Sequence, residues 1–370
     1  MAIGSRTGLA ILACLSLSEA WGVEATTATF INMPLSVRQT GMGNVTAGTD
    51  DLLASWSNPS ILANQDKEWG FGLNGASLFD GEQATFGFGG SWMVSPGWIV
   101  AGMVSSFSAN VKVVDEWGDE TGANAGRSVT AVSGLAGTKV GEMVNIGLAV
   151  KSVSDKVQES SAGTIGIDGG ISILWRNFGG GVSVANLGPR IRQGGGSDGG
   201  GESLPMVTRI GASYRFPVPK LRFAGEAVLV SNRDPRIGLG AEWSPVRRFT
   251  IRAGISGLEE FQRQIAAGLS FAMDRVGVDY SYSTHQLGAM HRVSLGGRFG
   301  RSPEEIARAS EIERTAVAPA APVATPMGEI GVAAPSKLPS KAAKQRDVVI
   351  VPFEARSVSM DDAAMAADWL

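Results

Sequence analysis

The sequence is nearly devoid of cysteine and histidine. Cys14 is the single cysteine among 370 residues, and His285 and His291 are the only histidines. Neither a disulfide framework nor a thiol catalyst in a mature chain is compatible with this composition. No further ligands are spaced for a metal site around the histidines, and no nucleophile–histidine–acid arrangement can be assembled. We therefore expect no enzyme activity, no metal and no cofactor, and an esterase has no nucleophile.

Charge and long apolar runs are also scarce. Charged residues make up 18% of the chain and the net charge is -3, so the basic face that nucleic-acid binding requires is missing. Beyond the N-terminus no run of 18 apolar residues exists, which excludes a helical membrane span. The stretch "GGGSDGGGE" (194–202) has no lysine and no strand–helix context, so it is not a phosphate-binding loop. We interpret it as a flexible outer loop.

Glycine and two-residue alternation are abundant instead. The chain has 50 glycines, about twice the usual share, and 44% apolar residues. In "GTIGIDGGISILWRNFGGGVSVANLG" (163–188), one face is apolar and the other is mostly glycine and serine. Residues 140–299 repeat this half-buried strand pattern in segments of about ten residues. The apolar face of the opening stretch is Ile165, Ile167, Ile171, Ile173 and Trp175.

Two architectures use such strands, and the turns favour one of them. A soluble sandwich buries the apolar face, whereas a membrane barrel turns it toward lipid. Short connections alternate with long ones along the chain, as short periplasmic turns and long outer loops do in outer-membrane barrels. The short ones are 95–97, 139–142, 176–177, 217–219, 244–247 and 273–275. The long ones are 115–126, 155–163, 188–205, 231–235, 256–264 and 283–291.

Large aromatic residues cluster beside the short turns. Amphipathic rings are most stable at the headgroup boundary, so this clustering predicts a membrane interface. Residues 67–300 give roughly fourteen strands, and we expect a transmembrane antiparallel β-barrel whose small-residue face surrounds a crowded lumen. The aromatics are Trp92, Trp98, Trp175, Phe178, Phe216, Trp243, Phe249, Phe271 and Phe299.

The N-terminus has the pattern of an export signal. Arg6 supplies the positive region and residues 8–17 the short apolar region, and cleavage sites end at Ala20 or Ala25. We assign residues 1–25 to a signal peptide. The alternatives are a short buried helix and, because Cys14 follows "ILA", a lipoprotein site.

Residues 26–66 form a second segment, which precedes the first strand. Asp50 or Asp51 can cap a short helix through Trp56, and Pro59 can begin another. The simplest interpretation is a lead-in helix on the barrel mouth.

Here the sequence resembles the FadL/PorV superfamily of barrels. "GMG", the paired aspartates and "SNPSIL" resemble its N-terminal hatch pattern "GMGGA…DDASA…NPAGL", although Ser60 replaces an alanine. "IDGGISILW…GGGVSVANLGPRI", "LPMVTRIGASYRF" and "VDYSYSTHQLGAMHRVSLGGRF" resemble later strands of the PorV/PorQ branch. The resemblance covers about residues 38–300. Its hatch residues here are Gly41, Gly43, Asp50, Asp51, Asn58 and Pro59.

The resemblance implies a bacterial outer-membrane barrel of about fourteen strands with an N-terminal hatch. FadL-type members pass hydrophobic small molecules, and PorV-type members assist protein secretion. The implied partners are outer-membrane lipid with either a hydrophobic solute or secretion-machinery proteins. A closed barrel that only anchors a periplasmic docking tail is the alternative.

Inward charges are the candidate lumen residues. They either shape a permeation path or close the lumen by pairing with one another. They are Asp168, Arg209, Arg215, Arg222, Glu226, Glu242, Arg252, Asp279, Arg292 and Arg298.

The chain continues past the last aromatic strand. Residues 303–314 predict a charged helix capped by Ser302, and an Ala/Pro-rich linker continues to residue 346. An even strand number places the chain ends, and so this tail, in the periplasm. Residues 347–370 resemble the opening of TolB- or CsgG-like periplasmic modules, which suggests the start of a module, a docking segment or a chain cut short.

Overall fold

Fourteen strands account for most of the described residues in the computed structural model. The structure describes residues 29–114, 120–157, 160–189, 203–231, 233–257, 263–285 and 288–317. The strands are β1 Trp69–Leu78, β2 Gln83–Ser95, β3 Trp98–Val114, β4 Glu120–Val140, β5 Val144–Val157, β6 Ser160–Trp175, β7 Phe178–Leu187, β8 Val207–Phe216, β9 Leu221–Val230, β10 Arg236–Val246, β11 Phe249–Ser256, β12 Gln264–Ala272, β13 Val276–His285 and β14 Gly288–Phe299.

The strands close into one antiparallel barrel in which each strand pairs with its sequence neighbours and β1 pairs with β14. The closing pair runs from Trp69 opposite Phe299 to Leu78 opposite Met290. Beside it, the Glu68 N–H donates to the Arg301 carbonyl at 2.8 Å. The predicted closed barrel of fourteen strands is therefore confirmed.

The apolar faces of the strands point outward. Leu148 is 61% exposed and Ile165 54% exposed, although both lie in the middle of long strands. Large apolar side chains cover the outer surface all the way around, which a soluble barrel avoids and a lipid-embedded barrel requires. The exposed aromatics Trp98 and Trp175 adjoin the short turns, at the boundary where lipid headgroups lie.

The two ends of the barrel differ. Turns of two to four residues, such as 96–97 and 176–177, join strands at the turn end, as predicted. Three predicted outer loops are shorter than expected, because the strand ladders continue into their polar residues. Lys156 pairs with Ser161, Thr284 with Ala289, and Lys112 with Asn124. Ladder hydrogen bonds use backbone groups, so polar side chains do not end a strand once it leaves the membrane.

Residues 29–66, the described part of the hatch, lie inside the barrel. They form helix α1 (Val37–Gly41) and short 3₁₀ helices at Thr29–Asn32, Leu52–Trp56 and Pro59–Asn64; another 3₁₀ turn, Phe79–Gly81, joins β1 to β2. Ser36, Asp51 and Asn58 cap three of the hatch helices, each through a side-chain oxygen that accepts a backbone N–H. The hatch thus fills the lumen as a chain of capped turns rather than as one lead-in helix.

The hatch approaches the wall so closely that only glycine fits at several contacts. A Cβ on Gly147 of β5 would lie 2.2 Å from the carbonyl carbon of Pro59, and one on Gly254 of β11 would lie 2.1 Å from the amide nitrogen of Gly43. Both distances are far below a van der Waals contact. The glycine-rich inner face predicted from the sequence therefore matches a crowded lumen.

The described hatch begins at the loop end, opposite the short turns. The ring of Phe30 stacks on Phe107 of β3, with centroids 3.6 Å apart. Strand β3 starts at a short turn, and Phe107 lies nine residues further along it, toward the loop end. The hatch therefore runs from the loop end to the turn end, which it reaches at Asp66. Residues 29–34 therefore lie near the loop end, while both chain ends lie outside the described residues.

Helix α2 (Pro303–Val317) follows β14, as the sequence predicts. The Ser302 hydroxyl accepts the Glu305 N–H at 3.3 Å, and Glu305 accepts the Ser302 N–H at 2.6 Å. Among the helices of the described residues, none combines the length and apolarity needed to cross a bilayer. The predicted signal peptide, linker and terminal segment lie outside the described residues.

Candidate functional site

The hatch lies between two cavities in the lumen. The turn-end cavity has a volume of about 540 Å³ and is lined by strand charges and by hatch residues Arg38 and Asp50. The loop-end cavity has a volume of about 250 Å³ and is lined by residues that include Phe30, Met33 and Asn44 of the hatch. The hatch therefore contributes residues to both cavities.

Arg38 of α1 fastens the hatch to the wall above the turn-end cavity. Its Nε and Nη2 donate to the two oxygens of Glu242 in β10, both at 2.8 Å. Such a bidentate contact fixes orientation as well as position. Glu242 also pairs with Arg252 at 2.8 Å, and Arg252 with Asp279 at 2.8 Å. The network therefore joins α1 to strands β10, β11 and β13.

Asp50 of the hatch forms a second contact with this network. It pairs with Arg38 and, at 3.5 Å, with Arg298 of β14. Burial would lower the pKa of Arg38, but the carboxylates of Glu242 and Asp50 outweigh it and hold that pKa above its usual value. Burial would likewise raise the pKa of Asp50, but Arg38 and Arg298 keep that pKa well below its usual range. Both groups stay charged across the physiological pH range.

Glu226 of β9 holds the middle of the hatch. It accepts the Thr46 N–H at 2.8 Å and also accepts the Thr46 hydroxyl. Arg209 of β8 pairs with the other oxygen of Glu226 at 2.9 Å. A carboxylate that is 3% exposed thus has both oxygens occupied, one by the hatch and one by the wall.

Lys151 of β5 holds the opposite side of the lumen. Its ammonium lies 2.6 Å from Asp168 of β6 and 4.4 Å from the ring centre of Trp56 in the hatch. Asp168 also accepts the Asn186 N–H at 2.7 Å. This buried cation is paired with a carboxylate and an aromatic face at once.

The hatch residues predicted from the sequence resemblance cap helices or pack against the barrel wall. Asp51 caps the helix that begins at Leu52, and Asn58 caps the helix that begins with Pro59. Gly41 abuts Gly268 of β12, and Gly43 has a φ of +71° with its Cα facing the backbone of Ile255. These residues shape and place the hatch.

The remaining lumen candidates divide between the cavities. Arg215, Arg222 and Arg298 line the turn-end cavity, where Arg298 also pairs with Asp66 at 3.1 Å. Arg292 lines the loop-end cavity together with Arg209. The sequence-based list lacks Arg38, which sits in a helix without alternation. It also lacks Lys151 and Arg236, although both share the inward parity of their strands.

A closed barrel with a hatch in its lumen is the fold that this chain shares with solved outer-membrane barrels of FadL type. The fold is shared with the Ralstonia pickettii toluene transporter TbuX, with a TM-score of 0.56 at 12% identity over 73% of this chain and 100% of that one. The CymD monoaromatic hydrocarbon channel has a TM-score of 0.53 at 13% identity, over 71% of this chain and 97% of that one.

A Pseudomonas aeruginosa FadL homologue has a TM-score of 0.50 at 10% identity, covering 75% of this chain and 99% of that one. The sequence matches no model of a known protein family and no curated protein. These likenesses support the FadL side of the sequence resemblance at the level of fold. They do not reach its PorV branch.

The described lumen residues hold the hatch through ion pairs and hydrogen bonds. Within the described ranges, no three histidine, cysteine or acidic side chains are grouped to hold a metal ion. The chemistry available is ion pairing, hydrogen bonding and apolar contact.

Proposed function

We propose that this protein is a bacterial outer-membrane transporter that lets small hydrophobic molecules, aromatic ones among them, cross the membrane. The observation that carries the proposal is the loop-end cavity, which has an apolar wall above a hatch inside a lipid-embedded barrel. Phe30, Met33, Phe79, Val228 and Met290 supply that wall. A concave site lined by apolar groups with a few polar ones is the usual form of a small-molecule site.

The proteins that share the fold support this choice. They include a toluene transporter and a monoaromatic hydrocarbon channel. In the proposed route a solute enters the loop-end cavity, the α1 region of the hatch shifts, and the solute reaches the turn-end cavity.

Uptake of radiolabelled toluene by cells that lack their own transporters of this fold tests the proposal. Met33→Trp fills the loop-end cavity, and Leu239→Trp adds the same bulk to the lipid-facing surface, where Leu239 is exposed. We expect uptake from the native chain, reduced uptake from Met33→Trp and unchanged uptake from Leu239→Trp. Uptake no faster than in cells without the barrel refutes the transport role.

A closed structural barrel is the second candidate, and the fastening of the hatch favours it. Arg38 and Glu242 form a bidentate pair, and hatch backbone packs on wall glycines. Under this candidate the native barrel gives no uptake, while removal of residues 315–370 disrupts capture of a periplasmic partner. Support of protein secretion remains a prediction of the sequence resemblance.

A further inference from the structure

The loop-end cavity combines an apolar wall with an excess of positive charge. Four arginines line it: Arg209, Arg233, Arg236 and Arg292. Arg209 is neutralised by Glu226 at 2.9 Å. Among the described residues the other three have no acidic partner within 4 Å, so the described lining of the cavity carries an excess of positive charge.

Arg292 is the strongest of these observations. It points into the lumen from β14 and is 6% exposed. Its hydrogen bonds are to the Ser283 hydroxyl at 3.3 Å and the Met290 sulfur at 3.7 Å, both neutral and weak acceptors. A guanidinium has five N–H donors, and a buried charge without a counter-ion is costly. The side chain is therefore ready to bind an anionic acceptor.

The rest of the wall selects for a flat apolar body. Phe30 and Met33 line the cavity from the hatch, Phe79 lines it from the turn after β1, and Met290 lines it from β14. Rings and thioethers make favourable contacts with aromatic rings. A cavity of about 150 Å³ accommodates benzene, so 250 Å³ leaves room for a ring and one carboxylate.

We propose that the loop-end cavity binds a small aromatic carboxylate, with its carboxylate on Arg292 and Arg236 and its ring against Phe30 and Phe79. As a binding site this inference stands on the cavity alone, and as the identity of the transported solute it rests on the proposed function.

A neutral hydrocarbon contacts the apolar wall of the cavity but not its arginines, and a simple anion contacts the arginines but not the apolar wall. A neutral ring displaces water from the arginines without replacing its hydrogen bonds, which is unfavourable for a buried charge. An anion without a ring leaves the aromatic wall uncovered. A carboxylate accepts two parallel N–H bonds from one guanidinium, which gives it geometric specificity as well.

Binding to the full chain in lipid nanodiscs tests the inference by ¹⁹F NMR, with empty nanodiscs as the blank. The probes are 4-fluorobenzoate, 4-fluorotoluene, which lacks the charge, and fluoroacetate, which lacks the ring. We expect saturable 4-fluorobenzoate binding that unlabelled benzoate displaces. 4-Fluorotoluene should bind about tenfold or more weakly, because a hydrogen bond to a charged group contributes at least that factor. Fluoroacetate should also bind about tenfold or more weakly, because it leaves the apolar wall uncovered.

Arg292→Met removes the buried charge while keeping apolar volume, and Arg215→Met removes an exposed charge at the turn-end cavity. We expect the first to weaken 4-fluorobenzoate binding about tenfold or more without weakening 4-fluorotoluene binding, and the second to change neither. Arg236→Met, at a less buried position, gives a second test if Arg292→Met does not fold.

Equal affinity for the charged and neutral ring probes overturns the inference, and so does full 4-fluorobenzoate affinity in both cavity variants. Toluene uptake without 4-fluorobenzoate binding leaves the proposed function and removes this inference. 4-Fluorobenzoate binding without toluene uptake keeps this inference as a binding site and removes the proposed function.

Discussion

At the scale of single residues, charges that face the lumen act as fasteners for the hatch. Arg38 is bonded to Glu242 from the hatch side, and Arg252 is bonded to the same carboxylate from the wall side. Removing one member of such a buried set leaves its partner carboxylate only partly neutralised, which costs more than losing an exposed pair. A few buried ion pairs thus hold the hatch to the barrel wall.

Replacement of Arg38 tests this dependence. We expect Arg38→Met to lower the free energy of unfolding in lipid vesicles by about 3 kcal/mol, because Glu242 stays buried without Arg38. Arg248→Met, which breaks the exposed Arg248–Asp274 pair, should change it by less than about 1 kcal/mol. Urea titration followed by tryptophan fluorescence measures both. Equal effects would show that Arg38 does not fasten the hatch.

Glycines of the barrel wall also help to hold the hatch, because the absence of a side chain lets the hatch backbone approach the wall. A methyl group at Gly147 would meet the Pro59 backbone, whereas one at Gly134 of β4 meets nothing within 4 Å. We expect Gly147→Ala to destabilise the barrel by about 1–3 kcal/mol and Gly134→Ala to have an effect within about 0.5 kcal/mol. The same titration measures both, and limited proteolysis of the hatch reports its displacement. An unperturbed Gly147→Ala would mean that the hatch is loosely packed.

At the scale of elements, each strand presents one face to lipid and the other to the hatch, and depth along the strand sets the cost of a change. Leu148 lies in the middle of β5, while Met143 lies in the turn that precedes it. Both side chains are exposed on the same hairpin, so they differ mainly in distance from the membrane boundary.

A pair of arginine substitutions measures that difference. Leu148→Arg should cost about 2–4 kcal/mol of folding free energy in vesicles, and Met143→Arg about 0–1 kcal/mol, because charge is tolerated near the headgroups. Equal costs at the two positions would contradict a membrane-spanning β5. Unfolding titrations in vesicles of the same lipid supply both values.

The elements were predictable from the sequence wherever one face contacts lipid. Ile165 and Ile167 reveal β6 because hydrocarbon requires apolar side chains at every second position. Above the membrane that requirement ends, and so the strand continuations through Lys156 and Thr284 carry no signal. In the hatch, the sequence signals of the short helices are their capping residues, Asp51 and Asn58. No pattern in the sequence indicates the path of the hatch through the lumen.

The pairing inside the lumen was beyond sequence reasoning for a different reason. Alternation shows that Glu242 and Arg252 both face inward, but their contact requires the register of β10 against β11. Arg38 reaches Glu242 across 204 positions of sequence, from a segment with another periodicity. Which inward charges pair, and which remain available to a solute, is therefore fixed by tertiary structure alone.

At the scale of the whole molecule, α1 is the part of the hatch with cavities on both sides. Gly43 and Asn44 border the loop-end cavity just beyond its end, and Arg38 borders the turn-end cavity from within it. The helix at Pro59–Asn64 instead packs on β3 to β6. Under the proposed function, passage requires movement of α1 and not of that second helix.

Two disulfide tethers separate these regions. The Thr40 and Ser281 hydroxyl oxygens lie 2.7 Å apart and those of Ser60 and Ser172 3.0 Å apart, so cysteine pairs at either place are within bonding reach. We expect oxidised Thr40→Cys/Ser281→Cys to lose uptake and regain it with reductant, while Ser60→Cys/Ser172→Cys keeps uptake in both states. Unchanged uptake with α1 tethered would rule out its movement as the gate.

The close fit between wall and contents also bears on how the molecule is built. The hatch threads the ring from one mouth to the other, and its backbone touches wall positions where even a methyl group has no clearance. A barrel that has already closed leaves little space through which the hatch could enter. We therefore expect β1 to pair with β14 only after the hatch has packed against the other strands. The order of assembly is then a further property that this sequence determines.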